Sequence, residues 1–261
     1  MNVLTKFEFY KLLRQKSFYV CAVIIAVSAV LSMVATKIIL DAAILEGYDV
    51  SPATAVLSRV DDTFTMLCGI FVALLVCGDF SQQTIKNVYA RGFSKTQVYF
   101  AKFIAAVVGT LVMFIINYAV SFLLGLALFG EIGVTDLMAY DMAAQLITAF
   151  AFTAFTFAVS FIFRKTGVGI ALSIVGPMVV NLVLILVSQI AKVDFSLSEY
   201  WISGILTKLS GMATGETIAG ADALADGTLT FSDVTVCLVL SAVYTAAFVV
   251  LGYYVNKKKD G

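Results

Sequence analysis

The sequence contains no histidine. That absence excludes both the H-E-x-x-H helix of intramembrane metalloproteases and the histidine general base of membrane serine proteases. No glycine is followed directly by lysine, so there is no G-x-x-x-x-G-K-[ST] loop to cradle a nucleotide's phosphates. Any ATP hydrolysis therefore falls to another polypeptide. Charge is scarce too: Asp, Glu, Lys and Arg make up 13% of the 261 residues, too few and too clustered to cover a soluble domain. The four cysteines, Cys21, Cys68, Cys77 and Cys237, form no C-x-x-C pair and fall inside apolar runs. They read as packing residues, with no disulfide framework and no metal site.

What is present is apolar. The hydrophobic fraction is 61% and the mean hydropathy +1.00, which places the chain among multi-spanning membrane proteins. A crossing of ~30 Å of hydrocarbon needs about 20 apolar residues as helix. Six such runs appear, near Phe18 to Leu40, Thr63 to Cys77, Phe103 to Phe129, Ala143 to Phe163, Val168 to Ile190 and Val234 to Val255. The runs are continuously apolar, without the in-out alternation of barrel strands, so the expected fold is an all-α integral membrane protein of six spans. Residues 1–261 form one transmembrane domain.

The basic residues set the expected orientation. With the N-terminus inside, the inner segments hold Lys6, Lys11, Arg14, Lys16, Lys86, Arg91, Lys95, Lys102, Arg164, Lys165, Lys257, Lys258 and Lys259, which is 13 of the 17 basic residues. They hold only Glu8, Asp79 and Asp260 of the 17 acidic ones. Lys and Arg in short loops resist translocation, so both termini are predicted to be cytoplasmic. The first run is too long for a secretory signal and lacks a small-residue cleavage site, which makes it an uncleaved span. Lipidation is not indicated.

Charges in mid-span would mark an ion or proton path, and none is found there. Lys37 lies near the outer end of the first span, and Asp61 and Asp62 at the outer mouth of the second. The other intramembrane polar groups are hydroxyls and amides: Asn117, Ser121, Thr148, Thr153, Thr156, Ser160, Asn181 and Gln189. Helix-to-helix hydrogen bonding, worth roughly 0.6 to 2 kcal/mol each, is the expected role, with a substrate path as the alternative. Gly176 and Pro177 predict a kink in the fifth span. The acidic, glycine-rich stretch from Gly215 to Asp233 lacks the carboxylate spacing of a calcium loop and reads as a solvated outer segment.

The longest polar run, Gly78 to Gln97, lies between spans two and three. Asp79 with Gln82 can cap a helix start, and Ile85, Val88 and Tyr89 make an apolar stripe at helical spacing. Gln82, Lys86 and Asn87 fall away from that stripe. Gly92 then supplies a stop, and Ser94 with Gln97 offers a capping box for the helix of span three. Two uses fit this short helix: an interfacial element on anionic lipid, each Lys or Arg contributing ~1 kcal/mol near the surface, or a docking helix for a cytoplasmic partner.

The run Asp79, Gln83, Thr84, Ile85, Lys86, Asn87, Val88, then Arg91, Gly92, Phe93, Ser94, Lys95, then Ala101 and Lys102, resembles the loop between spans two and three in permease subunits of type-2 ATP-binding-cassette exporters. Asp79 stands for that family's usual Glu, Gln83 for its Gly and Gly92 for its frequent Pro. The N-terminal stretch Phe7 to Lys16, with Glu8, Lys11 and Arg14 at helical spacing, is similar to the family's basic interfacial helix. The six-span layout matches as well, as does the extended outer segment from Ala191 to Asp233, which in that family forms re-entrant or extracellular helices.

The resemblance implies a division of labour. Residues 1–17 are the interfacial helix, 79–102 the cytoplasmic coupling loop and 191–233 the extracytoplasmic segment. Two permease subunits pair, and the coupling helix of each rests in a groove of a cytoplasmic ATP-binding subunit, where ATP and Mg are held. This chain then carries no cofactor, no catalytic residue and no nucleic-acid role; it would be a transporter subunit in the bacterial plasma membrane. Asp79, Thr84, Ile85, Lys86, Arg91 and Lys95 carry the coupling contact by the same resemblance. The expected cargo is hydrophobic or amphipathic: a peptide, an antibiotic or a lipid-like molecule. The competing readings are a secondary carrier and a non-transporting membrane scaffold or sensor component.

Overall fold

The computed structural model describes residues 2–45, 60–82, 84–130, 136–191, 197–214 and 231–258. Among the described residues the chain is all helical: α1 (Asn2–Arg14), α2 (Lys16–Leu45), α3 (Asp62–Ser81), α4 (Thr84–Ala90), α5 (Lys95–Phe129), α6 (Asp136–Phe163), α7 (Thr166–Ala191), a 3-10 turn (Leu197–Tyr200), α8 (Ile202–Thr214) and α9 (Phe231–Lys258). Six of these, α2, α3, α5, α6, α7 and α9, are long and apolar enough to cross a membrane. Each covers one of the six apolar runs.

Several helices overrun the apolar run that predicts them, for local reasons. The Asp61 side chain accepts a hydrogen bond from the Phe64 amide at 2.8 Å and caps α3, which continues to Ser81. Ser94 and Gln97 form a reciprocal capping box, so α5 starts at Lys95, well before Phe103. Gly92, at φ +86°, makes the corner between α4 and α5 in a region that side-chained residues rarely adopt. One correction concerns Asp79. It caps no helix start; it lies in the last turn of α3, where its side chain turns inward and is buried.

The ends of the helices sort onto two sides. At one end, Leu4 of α1 packs against Val98 and Ala101 of α5. There Phe80 of α3 meets Phe161 of α6, and Arg164 reaches both the Phe80 ring and the Asn256 amide oxygen of α9. This is the basic end. At the opposite end, Lys37 of α2 pairs with Asp41 and lies over the Phe129 ring of α5, while the Val60 amide reaches Gln145 of α6.

Burial separates centre from periphery: 61% of the span residues in α3 and in α6 are buried, against 28% in α2, 17% in α9 and 11% in α7. The bundle is therefore built around α3 and α6. The main core joins Phe64, Phe71 and Val72 of α3 to Phe18 and Ile25 of α2, Tyr99 and Met113 of α5, and Phe157 of α6. Hydroxyls join the spans as expected for two of the intramembrane polar groups: Thr153 pairs with Thr110 at 2.8 Å and Thr148 with Ser241 at 3.0 Å.

α8 is short and does not cross. Its first turn packs at the level of Ala151 and Phe152 in α6, and Leu209 packs higher, beside Ala144 and Val234. The Trp201 indole donates to the carbonyl of Pro177 at 3.3 Å, which anchors the start of α8 halfway along α7. α8 thus runs along α6 from the level of Phe152 toward the end opposite the basic one. Residues 192–196 and 215–230 of the predicted outer segment lie outside the described residues.

Candidate functional site

The α4 corner is built from both sides. Ile85 is buried, and Val88, Tyr89 and Phe93 pack on Leu4, Val98 and Ala101, so the apolar stripe fastens the short helix to α1 and α5. Lys86 and Asn87 are exposed on the other face, as the helical spacing predicts. A cleft of about 210 Å³ opens between α4 and α1, lined by Phe7, Ile85, Val88 and Arg91. Its floor is ionic.

That floor is a cluster of four charged side chains from three helices. Lys102 of α5 extends its ammonium to Glu8 of α1, at 3.1 Å to Oε1 and 3.3 Å to Oε2, and to Oδ2 of Asp79. Lys11 of α1 pairs with Asp79 Oδ1. Two positive and two negative charges make the cluster formally neutral, which is the condition for placing charge where little water reaches. Glu8, Asp79 and Lys102 are 1%, 4% and 1% exposed, so the compensation has to be internal. The Thr84 hydroxyl donates to Asp79 Oδ1 and to the Asp79 carbonyl, both at 3.2 Å, tying the first residue of α4 to the same carboxylate. Burial lowers the Lys11 ammonium from 10.5 to about 8; the Lys102 charge adds to the effect and Glu8 opposes it.

Of the expected coupling and interfacial residues, the structure gathers Glu8, Lys11, Asp79 and Thr84 into this cluster, with Ile85 packed beside it. It does not gather the rest. Lys86, Arg91 and Arg14 are exposed and Lys95 is half-buried; Gln83 lies outside the described residues. Asp79 and Ile85 are buried within the chain and both border the cleft. Lys102 is the member that sequence reasoning placed in the loop. The signal was available: a helix starting at Lys95 puts Lys102 on the face of Val98, Tyr99 and Ala105, all buried.

A second polar group lies at the opposite end. Asp141 of α6, fully buried, accepts from Gln145 Nε2 at 2.6 Å, while Gln145 Oε1 receives the Tyr118 hydroxyl at 2.7 Å and the Val60 amide at 3.2 Å. The expected fourth run begins at Ala143, two residues beyond this carboxylate. The observed helix carries it inward, with one carboxylate oxygen, Oδ1, lacking a hydrogen-bond partner. Among the described residues no cluster of three or more His, Cys, Asp or Glu is arranged to hold a metal ion.

With this geometry in place, comparison with known proteins gives the family. Residues 19–261 match the family model described as protein of unknown function (DUF2705). The chain belongs to the DUF2705 family. The match takes in α3 through α9 and nearly all of α2, and so includes Asp79, Thr84 and Lys102 of the ionic cluster, while Glu8 and Lys11 of α1 precede it. The DUF2705 chain is also similar to the uncharacterized protein YhcI of Bacillus subtilis (strain 168), at 25% identity over 221 residues. That alignment takes in 76% of this chain and 66% of YhcI, so the chain spans just under two thirds of that relative's length.

Proposed function

We propose that this chain is the permease subunit of an ATP-driven exporter of the ATP-binding-cassette type, with both termini cytoplasmic and α4 as its coupling helix. The observation that carries the reading is the attachment of α4. A short helix with an exposed Lys86, followed by an exposed Arg91, is joined through Thr84 to a carboxylate that Lys11 and Lys102 share, so a displacement of α4 is felt by α1, α3 and α5 together. A helix that only marked topology would need no such linkage. The apolar outer side of α1, with Phe7, Tyr10 and Leu13 exposed, supports an interfacial position for that helix. In this reading ATP and Mg belong to a cytoplasmic partner, a second permease subunit completes the pathway, and the cargo is hydrophobic or amphipathic.

Gentle extraction from native membranes tests it first. An ATPase subunit should accompany the chain at about equal stoichiometry, and its persistent absence sinks the exporter reading. A double charge reversal, Lys86→Glu with Arg91→Glu, is expected to leave membrane insertion intact, because the basic N-terminal segment still sets topology. ATPase activity coupled to this subunit should fall. Failed insertion with normal coupling in the surviving protein would instead favour a topology-only loop.

One observation favours a second reading, a secondary carrier: the buried Asp141 near the end of α6 opposite the basic end. The carrier reading predicts cargo movement driven by an ion gradient in vesicles free of ATPase, abolished by Asp141→Asn. The exporter reading predicts no such movement.

A further inference from the structure

α6 ends in a backbone conformation that its sequence does not favour. Arg164, the residue after Phe163, has φ +56°, and among the described residues it is the one side-chained residue with a positive φ. Its amide donates to the Ser160 carbonyl at 2.9 Å, closing the helix in the motif where glycine is the usual choice. A β-carbon in the left-handed region carries a steric cost that glycine avoids. Such residues persist where other contacts hold them, and they gather at positions with a task. Here the side chain does the holding.

Its contacts reach two other helices. The guanidinium carbon lies 5.1 Å from the centre of the Phe80 ring of α3, and Nη2 donates to Oδ1 of the buried Asn256 of α9 at 3.4 Å. Phe161, one turn earlier on α6, meets the same Phe80 ring edge-on at 5.5 Å. Phe80 directly follows Asp79, the carboxylate bonded to Lys11, Lys102 and Thr84. Consecutive residues of one helical turn move together. The last turn of α3 therefore joins two sets of contacts: α1, α4 and α5 through Asp79, and the α6–α7 corner with α9 through Phe80. The second set includes α7 and α9, the two least buried spans.

We infer that Arg164 is a positioning residue, which carries a displacement of α4 from the last turn of α3 to the α6–α7 corner and the end of α9. A guanidinium suits this task because it lies flat on a ring while its N–H groups donate sideways, which a lysine ammonium cannot do. Glycine would form the same corner without strain and would join nothing. The purpose of this link rests on α4 being a coupling helix, whereas the link itself is a property of this chain alone and needs no ATPase to be measured.

Amide hydrogen exchange of the full chain in phosphatidylcholine nanodiscs tests the link as a double-mutant cycle. Lys11→Met disturbs the Asp79 cluster from α1. It should speed exchange in α4 (Thr84–Ala90) and also in the last turns of α9, residues 253–258, by about fivefold, the low end of coupling between linked sites. In the Arg164→Gly background, Lys11→Met should still speed exchange in α4 but no longer at 253–258. Arg164→Lys, which keeps the charge and loses the flat ring contact, should behave like Arg164→Gly. Lys11 and Arg164 touch different residues of α3, so without a link their effects add. Should Lys11→Met lower the yield of folded protein, Thr84→Val, which removes one hydroxyl from the same carboxylate, takes its place. An equal acceleration at 253–258 with and without Arg164, no acceleration there, or a uniform rise that extends to residues 234–241 at the far end of α9 overturns the proposal, and leaves Arg164 a fastening of its corner only. With no ATPase present, the link can fail while the exporter reading stands, and the exporter reading can fail while the link holds.

Discussion

Lys102 shows how little of a buried charge's role its sequence neighbourhood reveals. Its ammonium meets carboxylates that lie 23 and 94 residues away, and none of the three groups is more than 4% exposed. Removing one member leaves its partner charged and desolvated, which costs about 3–5 kcal/mol, whereas removing a matched pair costs much less. Lys102→Met should therefore lower the thermal midpoint of the protein in mild detergent by more than the double variant Lys102→Met with Asp79→Asn; a double variant that loses the sum of the two single losses would show that the two do not interact. Lys11 adds a pH signature. An ammonium with a folded-state value of about 8 and an ordinary value of 10.5 binds fewer protons folded than unfolded between those limits, so its contribution to stability rises with pH across pH 8 to 10.5 and its cost is fully present below 8. The same shift predicts that acylation of Lys11 by an amine-directed reagent is half-maximal near pH 8. Lys102→Met should move that midpoint upward, since it removes a neighbouring positive charge; a midpoint already near 10.5 in the unaltered protein would contradict the buried geometry.

At the scale of elements, the sequence was most legible where local chemistry decides. The six spans, the Ser94–Gln97 box and the Gly92 corner all follow from patterns within a few residues, and all are present. What sequence could not supply is which loop-flanking charges turn inward: that depends on α1 folding back onto the start of α5, a contact between distant segments. Asp79 was misread as a helix cap for this reason, since its short-range pattern fits a cap and its long-range partners outcompete it. The close packing of α8 on the turn before it has no signal in the local pattern beyond Gly204. A β-carbon there would lie 1.9 Å from the Ser198 carbonyl oxygen, so the first turn of α8 closes onto the preceding 3-10 turn only with glycine. Gly204→Ala should displace Trp201 from Pro177, seen as a red-shifted tryptophan emission, while Ser94→Ala should cost only about 1 kcal/mol of stability through loss of the α5 cap.

For the molecule as a whole, the distribution of burial matters more than the number of spans. α3 and α6 form the interior, and α9, the last span, packs chiefly along α6. Its links are specific: the Tyr99 hydroxyl donates to the Val249 carbonyl at 2.8 Å, and Ser241 pairs with Thr148. Gly252 leaves room for the Tyr99 hydroxyl, which would lie 2.6 Å from a β-carbon at that position. These contacts bear on biogenesis. During synthesis α6 is released into the membrane long before residue 231, and until then its Thr148 hydroxyl and the Tyr99 hydroxyl of α5 lack their α9 partners. These contacts form only when α9 arrives, so the interval between the synthesis of α6 and that of α9 is when a membrane chaperone or protease has an unfinished surface to inspect.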